Sequence, residues 1–216
     1  MTHTLHRTHQ VPGGPDDIIV FAMAARGFNH EGAGPRLAEV FQVLIKHQPT
    51  NAGDDNHGGV LTGLTAEEIV ARANDKAYMA GVYKDQADAE AALRHLKARD
   101  LGMSVVVTGN REQIFQMLQR VGLSPHTVNL SLGVFGNTEG LPEPEVLDLT
   151  TMCGHGMVCI DHVRHVITEV RAGKMSAGEG AQELARPCTC AMFNPARAAY
   201  VLEALCHRKG GEAHGG

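Results

Sequence analysis

The chain has 216 residues, of which 43% are hydrophobic, so it can bury the core of one large domain and is not a disordered tail. Its 19 basic and 24 acidic residues give a net charge of −5, and no basic block is present. This balance disfavours a nucleic-acid groove or an anionic membrane surface and makes a small molecule the expected partner.

The sequence predicts neither a membrane span nor a secretory signal. The longest apolar runs, such as Ile18 to Ala25, are much shorter than the ~20 residues that a bilayer span requires, and Met1 to Gln10 is polar. We therefore expect a cytoplasmic protein, with a homo-oligomer as an open alternative to a monomer. Five cysteines are too few for a disulfide scaffold and odd in number, which in a reducing compartment indicates metal binding or thiol chemistry.

Strand and helix patterns alternate along the first part of the chain. The apolar, partly β-branched run Ile18 to Ala24 predicts a strand buried on both faces, and Pro35 opens an amphipathic helix. The polar, glycine-rich segment 49–63 is interpreted as a lid or a disordered excursion. A capping box beginning at Thr65 then predicts a helix over 66–80.

The alternation continues through the middle of the chain, and only helices are predicted after it. The predicted elements are a helix from 85 or 86 to 99, a strand over 103–108, a helix over 111–121, strands over 127–134 and 146–152, and helices over 157–171, 176–185 and 195–205. Strands that alternate with helices are typical of α/β folds. We therefore predict a mixed or parallel sheet with flanking helices, followed by an all-helical C-terminal part.

Four segments follow from this pattern. They are a flexible N-terminal segment over 1–14, an α/β domain over 15–152, a helical metal-binding part over 153–208 and a flexible tail over 209–216.

The cysteines carry the chemical signal. Cys153 and His155 are separated by one glycine at a predicted strand-to-helix junction, where a helix N-terminus would lower the pKa of the thiol. Cys188 and Cys190 form a Cys-x-Cys turn between two predicted helices. If the intervening helices form a hairpin, these four soft donors converge on one metal centre.

Two kinds of centre fit these donors. The set Cys153, His155, Cys188 and Cys190 suits a closed tetrahedral zinc site. Alternatively, the three cysteines hold a [4Fe-4S] iron-sulfur cluster whose fourth iron is open to His155, water or substrate. The sequence favours the cluster because structural zinc sites usually use two Cys-x-x-Cys knuckles.

The iron-sulfur interpretation predicts a redox or Lewis-acid enzyme, such as a lyase or oxidoreductase, in which His155 is a metal ligand or carries a proton. A non-catalytic protein with a structural Cys3His zinc site, used for assembly or partner binding, is the main alternative. A metal-free thiol enzyme, with Cys153 as nucleophile and His155 as base, is a third. Cys159 is assigned to the core stripe of its helix and kept as a reserve ligand in place of His155.

A substrate site is predicted in the loop after the first strand, where open α/β sheets bind ligands. Arg26, His30 and Arg36 can hold an anionic small molecule there, and Gly32 and Gly34 allow its oxygens to approach backbone amides. Neither a Walker lysine motif nor a dinucleotide-binding glycine pattern is present, so no nucleotide cofactor is expected.

Overall fold

A computed structural model describes residues 12–130 and 133–207. Its strands are β1 (Ile18–Met23), β2 (Asn51–Asp54), β3 (Gly58–Gly59), β4 (Tyr78–Tyr83) and β5 (Ser104–Thr108). Its helices are α1 (Gly34–Ile45), α2 (Ala66–Ala71), α3 (Gln86–Arg99), α4 (Arg111–Val121), α5 (Pro144–Thr151), α6 (Ile160–Arg171), α7 (Ala177–Ala185) and α8 (Pro195–His207). Residues 1–11 of the segment predicted to be flexible at the N-terminus, and the whole tail 209–216, lie outside the described residues.

The strands form one sheet in the order β3-β2-β4-β1-β5, and every neighbouring pair is antiparallel. The predicted mixed or parallel sheet is therefore wrong. Strands β1 and β2, which α1 connects, do run in the same direction, but β4 lies between them; likewise β1 lies between β4 and β5. This is the split βαβ arrangement, in which helical crossovers join parallel strands that are not neighbours.

Helices cover both faces of the sheet. Along β1, Ile18, Val20 and Ala22 pack with residues of α1, α3 and α4, whereas Ile19 and Phe21 pack with residues of α5 to α8. This alternation follows from the two-residue period of a strand. The prediction that this strand is buried on both faces is confirmed, and the C-terminal helices form a layer of their own.

Several predicted elements differ from the observed ones. The segment 49–63 contains the buried strands β2 and β3 instead of a lid, and the helix predicted over 66–80 ends at Ala71, before β4 begins. The strand predicted over 146–152 is helical, since α5 begins with Pro144 in its first turn. The described part of 127–134 forms no strand.

The other predicted helices, and β5, are confirmed to within a few residues. None of the helices in the described ranges combines the length and hydropathy needed to cross a bilayer.

Candidate metal centre

Three buried thiols lie on the face of the sheet that α5 to α8 cover. Cys153 lies in the turn after α5, and Cys188 and Cys190 lie in the turn between α7 and α8. The Sγ atoms of Cys188 and Cys190 are 3.5 Å apart, and the Cys153 thiol interacts electrostatically with both. Each of the three residues is at most 2% exposed, so the sulfurs form one cluster shielded from water.

Helices α6 and α7 return the chain from Cys153 to Cys188 and Cys190, as the sequence predicts. Their close approach depends on Gly180 in α7. A Cβ atom at this position would lie 2.8 Å from Val166 of α6 and 3.1 Å from Leu202 of α8. Helix α7 therefore packs tightly between α6 and α8, and its C-terminal end brings Cys188 to Cys153.

The surroundings of Cys153 differ from the prediction. The residue follows the C-terminal end of α5 and precedes α6, which begins only at Ile160, so no helix N-terminus stabilises its thiolate. Instead the backbone N–H groups of His155 and Met157 donate to its sulfur. The turn is closed by a hydrogen bond from the Gly156 amide to the Cys153 carbonyl oxygen, with Gly156 in the left-handed region at φ +69°.

The pKa values of the three thiols are shifted in different directions. Hydrogen bonds from Cys188 and Cys190, and then those from the backbone amides, hold the pKa of Cys153 well below its usual range. Hydrogen bonding to Cys153 raises the pKa values of Cys188 and Cys190, and burial adds to both shifts. The backbone amide of Met192 donates to the sulfurs of Cys188 and Cys190 and opposes these shifts. These shifts favour the thiolate form of Cys153, which is the form of cysteine that binds metals.

The β2–β3 hairpin is the third part of the site. The Cβ atom of Ala191, which follows Cys190, sits over Gly53 and Gly59, a directly paired couple of the hairpin. A Cβ atom on Gly53 would lie 2.6 Å from that of Ala191, and one on Gly59 would lie 2.5 Å from it. Only glycine allows the cysteine turn to approach the hairpin this closely.

The hairpin adds a donor that the sequence prediction missed. Ligand atoms of Asp55, His155 and Cys190 all lie within 4.8 Å of one another, so this Asp/His/Cys cluster can hold a metal ion. His155 is exposed and Asp55 half-buried, whereas Cys190 is buried. The Asp/His/Cys cluster therefore has its sulfur on the buried side and its imidazole on the side that faces solvent. Asp55 was missed because its segment was interpreted as a lid; an acidic residue after a strand end was the available signal.

A second carboxylate anchors the hairpin tip. The buried Asp54 accepts hydrogen bonds from the backbone amides of Tyr78 and Asn56 through Oδ1, at 3.0 and 3.2 Å. Its Oδ2 lies 2.5 Å from Nδ1 of His57. These contacts fix the end of β2 and therefore the position of the neighbouring Asp55.

No protein-family model, curated protein or solved structure matches this chain. Its function must therefore be inferred from the chemistry of the site.

The loop predicted to bind an anion makes contacts within the chain. The backbone amides of Gly32 and Gly34 donate to the two carboxylate oxygens of Asp75, at 3.1 and 2.9 Å, so they already hold an anion of this chain. Arg36 donates to the Asn29 carbonyl oxygen, and Nδ1 of His30 accepts from the Gly27 amide. Arg26 is exposed. Substrate binding by Arg26, His30 and Arg36 stays a prediction.

The two remaining cysteines are outside the thiol cluster. Cys159 is exposed at the N-cap of α6, so its assignment to the core stripe is wrong. Cys206 is half-buried in the last turn of α8.

Proposed function

We propose that this protein binds one zinc ion through Cys153, Cys188 and Cys190, with His155 as the fourth ligand. The observation that carries the proposal is the 3.5 Å separation of the Cys188 and Cys190 sulfurs, which are buried together with Cys153. Zn–S bonds of about 2.3 Å in a tetrahedral site put neighbouring sulfurs about 3.8 Å apart. The observed spacing is close to this value.

The same spacing favours a single ion over the iron-sulfur cluster that the sequence suggested. In a [4Fe-4S] cluster each cysteine binds a different iron, which puts the cysteine sulfurs roughly 6 Å apart. Cys188 and Cys190 are too close for this arrangement without movement of their turn. The backbone amides that donate to the sulfurs support either centre, because they stabilise thiolate charge in both.

A structural role for the zinc ion fits this ligand set best. Three cysteines and one histidine close a tetrahedral site and leave no position for substrate. The ion would join the turn after α5 to the turn before α8, beside the β2–β3 hairpin. We therefore propose that zinc joins these two turns and so stabilises the C-terminal helical layer.

Burial also argues against the metal-free thiol enzyme. Cys153 is 2% exposed and its thiolate is already hydrogen-bonded to two thiols, which leaves little access for a substrate. A nucleophilic cysteine is expected in a partly exposed site.

The test is elemental analysis of protein purified without oxygen, together with acid-labile sulfide. We expect one zinc ion per chain, no sulfide, and loss of the metal in Cys188→Ser. Cys206→Ser is the matched control, because it removes a cysteine outside the cluster and should retain the ion. Iron with sulfide in similar amounts would instead support the iron-sulfur cluster. Equal metal content in the Cys188→Ser protein and the parent would refute both kinds of metal centre.

A further inference from the structure

We infer that Asp55 is a positioning residue: its carboxylate accepts a hydrogen bond from the ring nitrogen of His155 that does not face the metal. This inference rests on the proposed zinc site. It starts from a group of donors that includes the hairpin, in which an Asp55 oxygen, a His155 ring nitrogen and the Cys190 sulfur lie within 4.8 Å of one another.

The backbone of β2 aims Asp55 at the site. Side chains alternate between the two faces of a strand, so the Asp55 side chain lies on the same face as Gly53 and on the opposite face from Asp54. Gly53 faces the C-terminal layer, where Ala191 covers it, while Ala52 packs with the helices of the opposite face. The Asp55 amide also donates to the Tyr78 carbonyl oxygen at 3.3 Å, which continues the pairing of β2 with β4 by one residue. The backbone of Asp55, the first residue of the hairpin turn, is therefore still held against β4.

Charge decides between His155 and Asp55 for the fourth metal position. Three thiolates and one divalent zinc ion leave a net charge of −1, and a neutral imidazole does not change it. A carboxylate ligand would add a further negative charge beside buried thiolates, which is costly. Imidazole is also the better ligand for zinc in a sulfur-rich site.

A metal-bound histidine usually donates its second ring N–H to a carboxylate, which fixes the tautomer and orientation of the ring. The amides of His155 and Gly156 fix the backbone of this turn against Cys153, but they do not fix the orientation of the His155 ring. A hydrogen bond to Asp55 would fix the ring from a different part of the chain.

The experiment is a double-mutant cycle on cobalt-substituted protein, with affinity measured by competition against a chromophoric chelator. We expect Asp55→Ala to weaken cobalt binding by about 10- to 100-fold. In a His155→Ala background the same substitution should change the affinity by about twofold or less, because Asp55 acts through the imidazole. Asp55→Asn keeps an acceptor oxygen and should recover part of the affinity. Asp161→Ala, which removes an exposed carboxylate in the first turn of α6, is the charge control and should bind cobalt like the parent.

The cobalt spectrum separates positioning from direct ligation. Asp55→Ala should keep both the thiolate charge-transfer bands and the ligand-field bands of the parent, whereas His155→Ala should shift the ligand-field bands. Additive effects of the two substitutions, a ligand-field shift in Asp55→Ala, or parent affinity in Asp55→Ala would each overturn the inference. Absence of thiolate charge-transfer bands in the parent would instead refute the zinc site itself.

Discussion

Gly53→Ala tests whether the close contact between the hairpin and the cysteine turn is necessary for metal binding. The new methyl group would lie 2.6 Å from the Ala191 Cβ and 2.6 Å from backbone atoms of Gly58 and Gly59. Carbon atoms in comfortable contact are about 3.5–4.0 Å apart, so the turn must retreat by about 1 Å. Cys190 directly precedes Ala191 and moves with it.

The size of this shift sets the expected effect. Metal–ligand distances hold to about 0.2 Å, so a retreat of about 1 Å should weaken zinc or cobalt binding by at least about 10-fold. Overpacking of this kind costs about 1–3 kcal/mol. For a chain of this length each kcal/mol lowers Tm by about 2–4 °C, which gives a decrease of about 2–12 °C.

The assays are chelator competition and thermal unfolding followed by circular dichroism. Ala191→Gly is the matched control: this residue has φ +57°, a region in which glycine is unstrained, so the variant should bind the metal like the parent. The double variant Gly53→Ala/Ala191→Gly should recover part of the affinity, because one of the three contacts is gone. Parent affinity together with parent Tm in Gly53→Ala would refute this account of the site.

Two further predictions concern packing and pH dependence. Gly180→Ala should lower the free energy of unfolding by about 1–3 kcal/mol, because its Cβ meets side chains of α6 and α8. Its neighbour Gly178→Ala in the same helix, where the nearest atom is 4.0 Å away, should raise it by roughly 0.5–1 kcal/mol; equal effects of the two substitutions in urea unfolding would contradict this packing. The amides of Gly34 and Gly32 lower the pKa of Asp75, so its contribution to stability is present above about pH 4 and is lost as the pH falls through the folded-state pKa. Asp75→Asn should therefore be less stable than the parent at pH 7, with a difference that shrinks in acid; a difference that is constant down to pH 2 would exclude this linkage.

Most helices and two of the strands could be predicted from the sequence, but the remaining strands and the connections could not. The strand Ile18–Met23 and most helices have clear apolar periods. The error concerns β4, whose sequence Tyr-Met-Ala-Gly-Val-Tyr contains small residues and follows a strong helix start, so it was merged into the preceding helix. β4 lies between β1 and β2 and is antiparallel to both, so its omission, together with that of β2 and β3, removed three of the strands that make the sheet antiparallel.

The site shows a similar division. Glycine- and proline-punctuated turns distinguished Cys153, Cys188 and Cys190 from core cysteines, which usually lie on periodic apolar faces, and metal binding by them stays a prediction. The contribution of β2 and β3 could not be predicted, since their glycines and acidic residues resemble a loop. The glycines allow close contact with Ala191, and the buried Asp54 accepts hydrogen bonds from backbone amides at the end of β2. Both requirements arise only from tertiary structure.

The thiol cluster has a consequence for how the chain is made. Cys188 and Cys190 lie near the C-terminus and meet Cys153 only after α6 and α7 have formed a hairpin and docked on the sheet. During synthesis on the ribosome the sheet strands emerge first, and a nascent chain ending before α7 contains only Cys153 of the three sulfurs. The thiol cluster therefore assembles only after α7 has emerged, and a product truncated before α7 would lack two of the helices that pack with Ile19 and Phe21 of the sheet.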